Sequence, residues 1–182
     1  MRKLICSINI SADGYCDHGN VVADDELHLY ATTLLKQAGA VVLGRGTYSL
    51  FESFWPNVKE GSTHSAAIIE FARILNDIRK IVVSKRLDHS DWNNSVVISD
   101  LRKLDLLKKE SGKDLLIFGS PGLVSSLTKK KMIDEYHILV QPILAGKGKR
   151  LFADIVPDET VNLKLTNTTV FKSGVVTSAY SL

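Results

Sequence analysis

A chain of 182 residues with 45% hydrophobic content can fill one core, and no internal stretch is polar enough to act as a linker, so a single domain over residues 1–182 is expected. Its 23 basic residues against 20 acidic ones leave a net charge of +3, too even a balance for a nucleic-acid binder that must neutralise many phosphates. Cys6 and Cys16 make no disulfide framework, and the five histidines stand apart without the i, i+4 pairing of metal sites, so neither a structural disulfide nor a metal is expected. The start, MRKLICSINI, is broken by Ser7 and Asn9 and does not read as a signal peptide; with no run as long as a membrane span, a cytoplasmic setting away from membranes is expected.

A first strand is read over 4–10, with Cys6, Ile8 and Ile10 on one face, ending at Ser11-Ala12-Asp13-Gly14, where Asp13-Gly14 makes a turn. From about Asp25, Leu27, Ala31, Leu34, Leu35 and Ala38 recur at helical spacing, and Gly39 supplies a stop before a buried strand, Val41 to Leu43. A second helix over 63–78 carries Ile68, Phe71, Leu75 and Ile78 on one stripe and delivers the chain into strands Ile81 to Val83 and Val96 to Ile98. A helix from Asp100 presents Leu101, Leu104, Leu107 and Lys108 on successive turns, and a strand follows over Leu115 to Phe118. Ser120 can cap the next helix, with Pro121 at its first position and Leu123, Val124 and Leu127 facing the core; Lys129, Lys130 and Lys131 lie at its end, where cations suit the helix dipole. Strand Glu135 to Val140 leads into the loop ILAGKGKRLF, and two alternating segments, Val161 to Phe171 and Val175 to Leu182, close the chain as an antiparallel hairpin around Lys172-Ser173-Gly174. Right-handed crossovers make the whole an α/β three-layer sandwich, a mostly parallel sheet with helices on both faces and the hairpin added at one edge.

Three apolar runs, AVVLGRGTY at 40–48, KIVVSKRL at 80–87 and LLIFGSPGL at 115–123, end abruptly in glycine, serine or a cation. Ligands of open α/β sheets bind beyond the carboxyl ends of the strands, so the three endings can converge on one anionic ligand. GRGTYS is no dinucleotide fingerprint, because Ser49 stands where the third glycine belongs and no strand ending in an acid follows. Arg45 and Thr47 nonetheless suit a phosphate beside a helix N-terminus, although a surface arginine and a capping threonine explain the same segment. Ser84-Lys85-Arg86 is either a monophosphate contact or a solvated basic turn. In GSPG, Gly119 and Gly122 let a ligand approach the backbone at a helix start.

The ordered set ISADGY at 10–15, VLGRGTY at 42–48, Trp55, KIVVSK at 80–85, LLIFGSPGLVSSL at 115–127 and IDEYHILVQPILAGKGKRLF at 133–152 resembles the dihydrofolate-reductase-like superfamily. It is most similar there to the reductase domain of riboflavin biosynthesis and its free-standing relatives. The resemblance implies the dihydrofolate-reductase-like fold and an NADPH-dependent oxidoreductase that moves a hydride to a small pterin-like or pyrimidine-like heterocycle. It places the cofactor on Arg45, Thr47, Ser84, Lys85, Gly119, Ser120 and Gly122, with the cations at 45 and 85 on the 2′-phosphate side and the glycine loop on the pyrophosphate. The nicotinamide is expected near Ile10 to Gly14 and the substrate beside Gly14 and Trp55, with the proton coming from Asp13, from an acid at 24 to 25 such as Asp25, or from ordered water. Acids at a helix start, such as Asp24 and Asp25, also serve as caps. His28 stands where true dihydrofolate reductases have their pterin-binding carboxylate, so dihydrofolate is not the expected substrate. The loop Gly146 to Arg150 is placed beside the substrate cleft or at a subunit interface, and the relatives imply a homodimer with the terminal hairpin as its contact. The competing reading is a non-catalytic nucleotide or small-molecule binding dimer that retains the reductase fold.

Overall fold

Odd and even residues of the first strand face different layers, and this builds the molecule from the inside out. The computed structural model describes residues 1–152 and 160–182. Its elements in order are β1 (Leu4–Ser11), β2 (Tyr15–Cys16), α1 (Asp25–Gln37), β3 (Ala38–Gly44), α2 (Arg45–Phe54), α3 (Ala66–Asp77), β4 (Arg79–Val83), β5 (Ser95–Ile98), α4 (Leu101–Lys109), β6 (Asp114–Phe118), α5 (Pro121–Lys129), β7 (Glu135–Gln141), β8 (Lys149–Arg150), β9 (Lys164–Val170) and β10 (Val176–Ser181). Eight strands form one sheet in the order β5-β4-β3-β6-β1-β7-β10-β9, while β2 and β8 pair as a separate ribbon. Every pair from β5 to β7 is parallel, and β10 is antiparallel to both β7 and β9. This is the dihydrofolate-reductase-like sandwich expected from the sequence, with the hairpin at the edge.

Leu4, Cys6 and Ile8 pack with Leu104 of α4 and Val124 and Leu127 of α5 on one face. Ile5 points the other way, into a layer with Val41, Leu43, Leu34 and Leu35 of α1, Tyr48 of α2, and Phe71 and Leu75 of α3. Period-2 alternation in the strands meets period-3.6 stripes on the helices, and both layers are buried. Asp24 caps α1 by accepting the Leu27 N–H at 2.8 Å, and Ser65 caps α3 through Ile68. Lys108 lies on the buried stripe because its ammonium reaches Met132 O at 2.6 Å and the Asp134 carboxylate at 2.7 Å, pinning α4 to the start of β7.

Two local expectations change. Gly39 does not stop α1: β3 begins at Ala38, and a β-carbon at 39 would lie 2.8 Å from an Arg2 guanidinium nitrogen and 3.2 Å from Lys113, so the glycine serves a close approach. The helix over 63–78 is the third, since α2 starts directly after Gly44. In the hairpin, Gly174 takes φ +86° and Phe171 N–H bonds Val175 O, as the turn at 172–174 requires. No helix among the described residues is long and apolar enough to cross a membrane.

Candidate functional site

β3 and β6 are neighbours in the sheet, yet the helices that follow them lie on opposite faces: α2 adds Tyr48 to the Phe71 layer, α5 adds Val124 and Leu127 to the Leu104 layer. The chain therefore parts at the carboxyl ends of these two strands, and the gap is where an open α/β sheet takes its ligand. A cleft of about 680 Å³ opens there, lined by Arg45, Gly46 and Thr47 of α2, Ser84 and Lys85 after β4, Ser120 and Gly122 around the start of α5, and Ser99, Ser126, Lys130 and Lys149.

Ser120 holds the two loops together. Its hydroxyl oxygen accepts the Gly44 N–H at 2.9 Å while its O–H donates to Thr47 Oγ1 at 2.7 Å. This geometry needs Gly119 at φ +57° and Ser120 itself in the left-handed region at φ 59°, ψ 69°. It also needs glycine at 44, where a β-carbon would come within 2.6 Å of Ser120 Oγ. The expected side-chain cap of α5 is thus not made: Ser120 spends its hydroxyl across the cleft, and Pro121 opens the helix. Ser84 is buried and accepts the Arg86 and Leu87 N–H groups, each at 3.0 Å, which leaves its own O–H free to donate. The lining contains four cations and no carboxylate; of its five hydroxyls those of Ser120 and Ser126 already donate, to Thr47 Oγ1 and to Gly122 O, which leaves Thr47, Ser84 and Ser99 beside the cations as donors that suit phosphate oxygens. Another cleft, of about 570 Å³, is lined by Glu52, Asp77 and Asp91 among its residues and does not suit an anion.

The sequence-predicted cofactor residues come together, and the others do not. Arg45, Thr47, Ser84, Lys85, Ser120 and Gly122 share the cleft, with Gly119 packed beside Thr47. Asp13 and Gly14 lie at the end of β1. Asp13 accepts the Ser11 hydroxyl at 2.6 Å and the N–H groups of Ala145 at 3.0 Å and Gly146 at 2.7 Å, and these bonds, Ser11 first, bring its pKa down to about 2. Gly14, at φ +87°, closes the turn on Ser11 O and accepts the Leu151 N–H at 3.2 Å. Asp25 is exposed and accepts the hydroxyl of Ser65, joining the starts of α1 and α3. Trp55 is half-buried in an aromatic cluster, 4.7 Å from Phe71 and 5.9 Å from His28 between ring centroids. His28 is buried, its Nδ1 donates to Asp24 O at 2.6 Å, and its ring packs edge-on against Trp55 and Phe71.

Sequence reasoning did not assign Ser99, Ser126, Lys130 or Lys149 to the cleft. The basic glycine loop, expected beside the substrate cleft or at a subunit interface, contributes Lys149 to the cleft between β3 and β6, and its β8 pairs with β2 through Tyr15 and Arg150 and through Cys16 and Lys149.

Residues 2–177 match the family described as the RibD C-terminal domain. The protein YyaP of Bacillus subtilis strain 168 is 27% identical over 98% of this chain and 94% of its own. A structure from Shewanella sp. PV-4, named for riboflavin biosynthesis, superposes with a TM-score of 0.70 at 19% identity, covering 98% of both chains. The deaminase/5-amino-6-(5-phosphoribosylamino)uracil reductase of Thermotoga maritima gives a TM-score of 0.66 at 16% identity, over 99% of this chain and 56% of that one. These solved structures share the fold.

Proposed function

The chain belongs to the RibD C-terminal domain family, and from that membership we propose that it is an NADPH-dependent reductase transferring a hydride to a C=N or C=O bond of a small pterin-like or pyrimidine-like heterocycle. The observation that carries this reading is the cleft between β3 and β6, whose lining offers Arg45, Lys85, Lys130 and Lys149 with five hydroxyls and no acid. Such a lining fits a dinucleotide with an extra phosphate.

On this reading the exposed cations Arg45 and Lys85 take the 2′-phosphate, with the free O–H of Ser84 beside them. Thr47, Ser120, Gly119 and Gly122 hold the pyrophosphate, where Gly122 leaves the backbone open, with no atom within 4 Å of a β-carbon built there. The cofactor, when bound, supplies the hydride. The protein's share is orientation: Ser120 locks the two loops before the ligand arrives, so little ordering is left for binding. The substrate meets the cofactor near Gly14, with Trp55 as a wall. Asp13 stays ionised at neutral pH with its oxygens engaged, and Asp25 is bound to Ser65, so water protonates the acceptor while Asp13 fixes the turn and its negative charge.

The protein works in the cytoplasm as a homodimer. Its hairpin supports this: every residue of β9 is exposed at the sheet edge, Leu165 by 53% and Val170 by 66%.

Parallel fluorescence titrations with NADPH and NADH, followed by a screen of dihydrofolate, pteridines and aminopyrimidines as acceptors, test the assignment. NADPH-selective binding with turnover of a heterocycle is expected. Absence of NADPH binding refutes it, and binding without turnover leaves a nucleotide-binding protein on a reductase fold.

A further inference from the structure

The segment Leu144–Arg150 has almost no secondary structure of its own, and seven contacts strap it and its flanking Ile143 and Leu151 to the turn after β1. Ile143 O accepts the Ala12 N–H at 2.9 Å, and Asp13 accepts the N–H groups of Ala145 and Gly146. Gly148, at φ +127°, lets the chain pass against Tyr15, whose ring lies 4.8 Å from the Arg150 guanidinium and whose hydroxyl accepts from Arg150 at 3.2 Å. Leu151 N–H bonds Gly14 O. Between these anchors stands Lys149, exposed and part of the cleft lining that also holds Ser126 and Lys130. A two-residue ribbon with an exposed strand cannot fix a lysine by packing, so its place depends on the anchors.

Asp13 is the anchor with most bonds. A carboxylate placed at the end of a hydride-acceptor site is easily taken for a proton donor, but here Oδ1 takes Ser11 Oγ–H and Ala145 N–H, and Oδ2 takes Gly146 N–H. Ser11 is itself buried and also accepts the Tyr15 N–H at 2.9 Å, so the same hydroxyl braces β2, the partner of β8.

We propose that Lys149 is a ligand for the phosphates of the bound dinucleotide, and that Asp13 is the positioning residue that straps Leu144–Arg150 so that Lys149 reaches the cleft. The inference rests on the cofactor reading above. It joins the two ends of the site: the turn where the substrate lies also sets a cation that binds the cofactor.

The test combines NADPH titration with amide hydrogen exchange on the full chain. Lys149→Ala raises the NADPH dissociation constant about tenfold and flattens its dependence on salt, whereas Lys149→Arg stays within about twofold of wild type. Asp13→Asn puts an NH₂ against the Gly146 N–H, so peptides covering 144–150 exchange faster in the ligand-free protein while those of β1 and β6 do not, and NADPH weakens about tenfold. The double variant is no weaker than about twentyfold, because both changes remove one interaction. Ser11→Ala, a milder change, moves exchange and affinity in the same direction. Wild-type binding with Asp13→Asn or Lys149→Ala at wild-type affinity overturns the inference and leaves the reductase reading intact. Unchanged exchange at 144–150 in Asp13→Asn overturns the strap by itself, without reference to any ligand. A wild-type protein that does not bind NADPH overturns both.

Discussion

Replacing Gly44 with alanine tests the lock at the centre of the cleft. The new β-carbon would lie 2.6 Å from Ser120 Oγ and 2.9 Å from Ser120 Cβ. Ser120 cannot step aside cheaply, since its backbone is already left-handed and Pro121 follows. Overpacking of this kind costs about 1–3 kcal/mol, and parting the Gly44 N–H from its acceptor adds about 1 kcal/mol. A loss of about 2–4 kcal/mol lowers Tm by about 4–16 °C in a domain of this size. Thermal unfolding followed by circular dichroism reads this, and an NADPH titration of the same sample should show at least tenfold weaker binding. The decisive variant is Gly44→Ala with Ser120→Gly. With the serine side chain gone, the nearest remaining neighbour of the new β-carbon is Leu123 Cβ at 3.6 Å, an ordinary contact. The clash then vanishes, and the left-handed position suits glycine. The pair should recover about 1–3 kcal/mol relative to the sum of the single changes. A Gly44→Ala protein within about 0.5 kcal/mol of wild type, or strictly additive changes, would refute the lock.

Arg45→Ala should weaken NADPH at least tenfold while changing NADH little, and equal losses in parallel titrations would remove Arg45 from the 2′-phosphate. Lys80 is fully buried, donates to Asn76 O and Ile78 O at the end of α3, and lies 4.7 Å over the Trp92 ring; burial brings its pKa down to about 8. Above about pH 8 the unfolded chain therefore holds this proton more tightly than the native one, and stability rises with pH up to the unfolded value. Burial raises the thiol pKa values of Cys6 and Cys16, which lowers stability over the same range in any variant that keeps them, so Lys80 is read as a difference: between about pH 7.5 and 9.5 the urea midpoint of wild type should rise relative to that of Lys80→Met, and parallel curves would refute the assignment. Leu165→Lys combined with Val170→Lys places charge on the exposed edge strand and should give a monomer by light scattering, and a dimer that persists in this variant would move the interface elsewhere.

The sheet was legible because its strands are short β-branched runs bounded by glycine, and the helices because their stripes are regular: β4, β6 and α1 lie within two residues of their expected limits. The helix α2 gave weaker signals. It begins on the residue after β3, with Gly44 at its start making no side-chain cap, so no polar spacer announces it. Arg45, Thr47, Ser84, Lys85, Ser120 and Gly122 could be grouped in advance because GRGT, VSK and GSPG mark strand ends, which topology then gathers around one cleft. Lys149 escaped because its presence in the cleft is set by contacts more than 130 residues apart in sequence, such as Asp13 with Ala145 and Gly146. Asp13 was singled out as the acid of the SxDG pattern, and what the sequence could not supply were the three donors that bind it.

Ser120 shows why the site resists local reading. Serine before proline and an apolar stripe announces a helix cap, and every local rule favours that use of its hydroxyl. The left-handed backbone at 120 costs about 1–2 kcal/mol, which a free helix start would not accept. It is offset only by bonds to Gly44 and Thr47, residues 76 and 73 positions away. The cost is local and the return is tertiary, so the position where sequence rules fail is the one that joins the two halves of the cleft. The same reasoning sets the order of events at the site. The lock exists before any ligand is bound, whereas on the inference above Lys149 depends on a strap held by seven contacts along an exposed ribbon. On the proposed cofactor reading, affinity is therefore built in at the Ser120 end and adjustable at the Asp13 end.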